Sequence, residues 1–245
     1  MGFNMQIIIL AGGLGTRLRP LTYRVPKPMT PVLGKPYLHY QLDYLRRQGI
    51  EKALMLVGYL GEQIEDYFGN GDFVGMELDY SKEDTLLGTG GALKLAEGKI
   101  KDDFILIYGD SFLPLVYSDF ESAFRRAGTG GMIAVYADRL STTGVRKNVT
   151  LSPDGMVARY EKGSSSTGLD YVEAGVSAFL KDVVARIPSG RVVSLEEEIY
   201  PELVREGQLS GYITGSRFFD IGSERRVKEM EEWLKNDYFK DTVPS

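Results

Sequence analysis

The sequence predicts an α/β protein with a mixed, mostly parallel central sheet flanked by helices on both faces, and three observations carry that expectation. Short apolar, β-branched runs alternate with amphipathic stretches as far as Ala137. The first such run ends directly in glycines. The chain has 245 residues, 43% of them hydrophobic, enough to bury a large core in one domain.

Taken in order, Met5 to Leu10 reads as a buried strand entering a glycine loop. From Pro36 to Gln48 the residues Leu38, Leu42 and Leu45 recur at helical spacing, with Gly49 as the stop. Lys52 to Gly58 is the next strand, followed by a helix near Glu62 to Phe68 and a strand near Met76 to Tyr80. A helix from Gly90 to Ala96 and a strand from Phe104 to Tyr108 continue the alternation. Ser118 to Arg126 reads as helix and Met132 to Ala137 as strand. The pattern then changes. Asn148 to Leu151, Val157 to Glu161 and Val172 to Leu180 are short strands, with Pro153-Asp154-Gly155 as a turn. Leu195 to Arg205 and Glu224 to Leu234 are amphipathic helices, with Gly211 to Phe219 extended between them. No linker or repeat divides the chain, so the expectation is one Rossmann-like domain over 1–245. Its N-terminal half, about 1–140, would bind one ligand and its C-terminal half, about 141–235, another.

Composition excludes several functions. A formal charge of −5 leaves no general basic surface for a nucleic-acid backbone, so any phosphate binding must be local. Without cysteine there is neither a disulfide frame nor a thiolate metal site, and the single His39 cannot build a histidine site. A metal here needs oxygen ligands. The opening apolar run is too short for a membrane span or signal segment, which reads as a cytoplasmic protein without a membrane partner. A homodimer is left open by the sequence.

The loop Gly12-Gly13-Leu14-Gly15-Thr16-Arg17 follows the first strand directly, and its bare glycines let backbone amides approach a phosphate chain. A tight turn would use the same glycines. Arg17, Arg19 and Lys27 follow within a few residues, spaced by Pro20, Pro26, Pro28 and Pro31, which suppress helix and hold the loop in extended turns. Charges on a stiff loop beside open amides suit a polyphosphate. The dinucleotide fingerprint is excluded because its third glycine position holds Leu18. The Walker pattern is excluded because Gly34-Lys35 lacks the upstream glycine and the following hydroxyl.

GGLGTRLRPLT followed by VPKP resembles the sugar-1-phosphate nucleotidyltransferases, over Met5 to about Leu234. That resemblance implies Mg²⁺-dependent transfer of a nucleotidyl group from a nucleoside triphosphate to a sugar 1-phosphate. It places the triphosphate on Leu10, Ala11, Gly12, Gly13, Gly15 and Thr16, with Arg17 and Lys27 neutralising phosphate charge beside a catalytic Asp110. Such chemistry needs positioning and charge neutralisation more than acid/base work.

Asp110 follows the strand FILIY, where strand ends of open sheets meet ligand crevices. Asp220 sits in Phe219-Asp220-Ile221-Gly222, also after an apolar stretch. As isolated residues they read equally as turn or helix caps; the resemblance implies that both hold Mg²⁺. Leu87-Gly88-Thr89-Gly90-Gly91-Ala92 opens a helix, and the resemblance implies that Gly88, Thr89 and Gly90 meet the base. Its form looks closest to guanylyltransferases for mannose or heptose 1-phosphate, hence GTP and a role in lipopolysaccharide or capsule precursors. UTP, CTP or dTTP stay open as alternatives.

On the acceptor side the resemblance implies Gly109, Asn148, Glu161, Lys162, Glu173, Ala174 and Gly175, with Lys162 on the sugar phosphate. Glu173 departs from the commoner asparagine, and Lys147 stands where relatives often have a glycine nearby. A lysine there is a surface charge or favours an acidic or additionally phosphorylated acceptor. His39 and Trp233 are assigned structural roles. A glycosyltransferase is disfavoured because no Asp-x-Asp triplet occurs. A non-catalytic nucleotide-sugar regulator would not need Arg17, Lys27, Asp110 and Asp220 together.

Overall fold

In a computed structural model, which describes residues 3–139, 142–163 and 166–238, seven strands form one twisted sheet. They are β1 (Gln6–Leu10), β2 (Lys52–Val57), β3 (Glu77–Lys82), β4 (Phe104–Tyr108), β5 (Gly131–Tyr136), β6 (Val172–Phe179) and β7 (Leu209–Thr214). Their spatial order is β7-β5-β6-β4-β1-β2-β3. Strand β6 pairs antiparallel with both β4 and β5, and the remaining ladders are parallel. The sheet is therefore mixed and mostly parallel, as the sequence predicts. Chain order reverses at β1, which has β2 on one side and β4 on the other, so a crevice opens beyond Leu10 and Tyr108.

The near-continuous apolar strands are explained by two covered faces. Ile7 and Ile9 point to a core completed by α1 (Tyr37–Arg47), α2 (Gly61–Phe68) and α4 (Tyr117–Ala127), through Leu38, Leu42, Ile64, Phe68 and Phe120. Ile8 points the other way, with Leu54, Leu56 and Leu106, toward α3 (Gly88–Leu95), α5 (Asp182–Arg186) and α6 (Tyr200–Arg205). Helix α5 is absent from the sequence reading; five residues show too little periodicity to be seen. The expected helix from Leu195 begins as a π-turn over Leu195–Ile199 and becomes α-helical at Tyr200, where Pro201 brings no N–H to the ladder.

A third cluster decides the position of the acidic pair. Tyr37, Phe112, Phe219, Ile221 and Met230 are buried together, and Trp233 of α7 (Glu224–Trp233) packs on Phe219 and Phe112 with ring centroids 4.9 and 5.2 Å away. Trp233 is packing, as read. The cluster clamps a two-residue ladder of Ser111–Phe112 against Phe219–Asp220.

Candidate active site

The switch-point crevice is a cleft of about 500 Å³. Its phosphate-like end is the glycine loop. Ala11 N–H is tied to the Leu56 carbonyl and Gly109 N–H to the Leu10 carbonyl, both at 2.8 Å, which anchors the loop to the strand ends. Beyond that anchor no described hydrogen bond uses the amides of Gly12 to Gly15, so they remain free for an anion. Gly15 takes φ +60 and has Thr22 and Lys27 within 3.0 Å of where a Cβ would stand. The proline-spaced segment forms three 3₁₀ turns, Thr16–Leu18, Leu21–Tyr23 and Lys27–Met29, rather than only extended turns. Exposed Arg17 stands on the rim and Lys27 reaches the floor.

Lys27 Nζ lies 2.5 Å from Asp110 Oδ2. Burial raises the Asp110 carboxyl, but the Lys27 charge and hydrogen bond, with Ser111, outweigh it and hold it below the usual carboxylate range. Asp220 is brought beside it: Asp220 pairs with Ser111 across the short ladder, and the Ile221 N–H donates to the Asp110 carbonyl at 3.2 Å. Tyr37 lies buried near both, and burial followed by the charges of Asp110 and Asp220 pushes its phenol up. The Asp220 carboxylate accepts from Arg226 Nη1 at 2.8 and 2.9 Å and from the Gly222 N–H at 2.7 Å. The described residues hold no cluster of three or more metal-ligating side chains. Two adjacent carboxylates still fit Mg²⁺, which takes one or two from protein and the rest from phosphates and water.

Gly88, Thr89, Ala92, Leu56 and Leu86 also line the cleft, together with a residue the sequence reading missed, Glu83. Glu83 is buried; its Oε2 accepts the Leu87 N–H at 2.8 Å, and Oε1 lies 2.8 and 2.6 Å from where a Cβ on Gly12 or Gly58 would stand. Those two glycines make room for it. Burial pushes its carboxyl up. Gly90 does not line the cleft: its amide donates to the Val193 carbonyl at 2.9 Å and its face is packed by Val193.

A second missed carboxylate, Glu196, links the cleft to the expected acceptor side. It accepts from Tyr108 at 2.6 Å, Thr89 at 2.8 Å and Ser194 at 2.7 Å, with Lys162 at 3.5 Å. Burial raises this carboxyl, but the Tyr108 bond, the Lys162 charge and the Ser194 bond outweigh it and leave it low. Glu173 accepts from Tyr160 at 2.5 Å and Tyr200 at 3.5 Å; burial and then Glu196 push it up to about 7. Asn148 holds Glu173 from behind, its Oδ1 accepting the Glu173 N–H at 2.8 Å. Glu161 pairs with Arg159, Ala174 is buried, and Gly175 at φ +77 passes against Ser111. Gly109 closes on the Leu10 carbonyl, and Lys147 is exposed. His39 has Lys35 Nζ 3.0 Å from its Nε2 and lies outside the cleft.

A family model described as "Nucleotidyl transferase" matches residues 6–235. The chain belongs to the nucleotidyl transferase family. The mannose-1-phosphate guanylyltransferase of Mycobacterium tuberculosis is 33% identical over 226 residues, 90% of this chain and 62% of that protein. The chain thus spans less than two thirds of that relative's length. The D-glycero-alpha-D-manno-heptose 1-phosphate guanylyltransferase of Aneurinibacillus thermoaerophilus is 34% identical over 95% of this chain and 99% of its own. Among solved structures, HddC from Yersinia pseudotuberculosis complexed with GMP-PN superposes with a TM-score of 0.80 at 28% identity, covering 94% of this chain and all of that one. Nucleotidyltransferases of this family generally use a divalent metal, and no described helix is long and apolar enough to cross a membrane.

Proposed function

We propose that this protein transfers a guanylyl group from GTP to a sugar 1-phosphate of the heptose or mannose type, with Mg²⁺, releasing pyrophosphate in the cytoplasm. The observation that carries the reading is one cleft with free amides at Gly12 to Gly15, the Lys27–Asp110 pair on its floor and buried Glu83 in its lining. Guanine offers N1–H and an exocyclic amine on one edge, a donor pair that a carboxylate accepts. The names of the relatives support the same base.

An oxygen of the sugar phosphate attacks the α-phosphorus; that P–O bond forms as the bond to the β-phosphate bridge breaks, and pyrophosphate leaves with its electron pair. The nucleophile and the leaving group are both already anionic near neutral pH, so no residue has to move a proton. The loop amides orient the triphosphate, Arg17 and Lys27 balance charge at the phosphates, and Lys162 receives the acceptor phosphate. Asp110 and Asp220 would hold Mg²⁺, which supplies further charge neutralisation when bound. Gly88 and Thr89 border the base, while Gly109 fixes the strand end against the Leu10 carbonyl and Asn148 holds the Glu173 backbone.

Purified protein with Mg²⁺, each triphosphate in turn and a panel of sugar 1-phosphates should release pyrophosphate fastest with GTP. No release in any combination would end the reading.

A further inference from the structure

The two carboxylates of the acidic pair carry different counter-cations. Asp110 meets Lys27 at 2.5 Å, and both residues line the cleft. Asp220 meets Arg226, whose Nη1 donates to Oδ1 at 2.8 Å and to Oδ2 at 2.9 Å. Neither Asp220 nor Arg226 lines the cleft; both border a separate small pocket with Thr143 and Arg217. A triphosphate entering the cleft can therefore draw Lys27 away from Asp110, whereas Arg226 stands outside that lining.

The Arg226 pair is also built. Arg226 leaves the first turn of α7, where the Ser223 side chain accepts its backbone N–H, and its Nη2 donates to the Gly144 carbonyl at 3.1 Å. Its side chain is 18% exposed and that of Asp220 15%. Neighbouring Arg225 is 68% exposed and takes Glu229 at 3.3 Å, an ordinary helical surface pair. Gly222 gives the buried pair its room: a Cβ there would come within 2.7 Å of Asp220 Oδ1 and 3.1 Å of Arg226 Nη1. The Gly222 N–H itself donates to Oδ1 at 2.7 Å. A carboxylate offers about four acceptor positions, and these three bonds leave about one.

We propose, resting on the transferase reading above, that Arg226 is a positioning residue for Mg²⁺: it neutralises Asp220 and confines it to a single open acceptor position, so that the acidic pair takes the ion only together with the triphosphate. Asp110 and Asp220 against Lys27 and Arg226 leave no net charge to attract a free divalent cation. A triphosphate changes that sum. It adds negative charge of its own and engages Lys27, which uncovers Asp110. Asp220 keeps Arg226 and contributes one oxygen. One or two carboxylates with phosphate and water oxygens for the rest is the ligand set that Mg²⁺ prefers. Without Arg226 the pair would carry an excess negative charge and open a further acceptor position on Asp220, and a cation would bind with no nucleotide present.

The test uses Mn²⁺, which takes the same kind of oxygen ligands as Mg²⁺ and is followed by electron paramagnetic resonance. Without nucleotide, Arg226→Gln and Arg226→Met should each bind Mn²⁺ about tenfold or more tighter than wild type, with melting temperatures reporting that they fold. Adding Asp220→Asn to either should abolish the gain, and Arg226→Lys, which keeps the charge, should stay close to wild type. An unchanged affinity in a folded Arg226→Gln or Arg226→Met, a gain that survives Asp220→Asn, or an equal gain in Arg226→Lys overturns the inference. Where neither neutral variant folds, Asp220→Asn alone decides: Mn²⁺ binding without nucleotide should be the same as in wild type, and a loss of about tenfold overturns the inference. Absence of pyrophosphate release from wild type with every triphosphate and sugar phosphate removes the transferase reading, whereas an unchanged Mn²⁺ affinity with release intact removes this inference alone.

Discussion

The glycine-loop side of the cleft and the proposed acceptor side next to it are built from different materials. On the glycine-loop side the reactive surface is backbone: contiguous amides from Gly12 to Gly15, anchored by Ala11 and Gly109 and set at the end of a central strand. On the proposed acceptor side it is side chain: Glu173 from β6, Glu196 from the π-turn, Tyr108 from β4 and Lys162 just after the short strand Val157–Tyr160, gathered from 88 residues of chain in the case of Tyr108 and Glu196. A backbone site depends on local conformation and tolerates little bulk. A side-chain site depends on charge balance, and its specificity can change by single substitutions without moving the scaffold.

The most severe way to break this comparison is at the charges around the phosphates, Asp110 on the floor and Arg17 on the rim. Asp110→Asn and Arg17→Ala should each lower turnover by about 10²–10³, the loss typical of one electrostatic contributor, measured as pyrophosphate release at saturating substrates. Near-normal rates in both would remove the site assignment.

Glu83→Gln tests whether the base end reads chemistry or only shape. Replacing a buried acceptor by a group that also presents donors should cost about 2–3 kcal/mol against guanine, roughly 30–100-fold in kcat/KM for GTP, with little change for ATP. Equal losses for both triphosphates would assign Glu83 to structure.

A pair of glycines sharpens the contrast further. Gly175→Ala places a Cβ at φ +77 against Ser111, and should lower stability in denaturant titrations by about 1–3 kcal/mol. Gly12 has no such φ; Gly12→Ala meets the Glu83 carboxylate at 2.8 Å and should act through a raised KM for GTP instead. The opposite pattern would contradict the division between the two sides.

The smallest expected effect is a pH dependence on the acceptor side. The Glu173 carboxyl is raised to about 7 from its usual 4.5, so the folded state holds a proton that the unfolded chain has lost over that window. Its contribution to stability is present below the unfolded value and is lost as pH rises through the folded one. Glu173→Gln should therefore gain on the wild type by about 1–2 kcal/mol between about pH 5 and pH 8. A constant difference across that range would show that the carboxyl is not raised.

What was legible in the sequence follows the same line. The sheet, its mixed character and the loop from Gly12 to Lys27 could be read because each depends on residues close in the chain: apolar runs, glycines without side chains, prolines that forbid helix. Asp110 could be placed at a strand end for the same reason. Glu83 and Glu196 could not, since a glutamate in a polar stretch looks solvated until the fold buries it, Glu83 against Gly12 and Gly58 and Glu196 beneath Thr89 and Tyr108. Gly90 could be read as a base contact only until Val193 was seen to cover it.

By itself the sequence determined the α/β class, the glycine loop after the first strand and the family, because these are properties of contiguous segments. Only the tertiary structure decided that Asp220 stands beside Asp110, through a two-residue ladder clamped by the aromatic cluster around Trp233. It alone also decided which carboxylates are matched by a cation and which are not. Coulomb interactions depend on distance through space and on burial, and neither quantity is written along the chain.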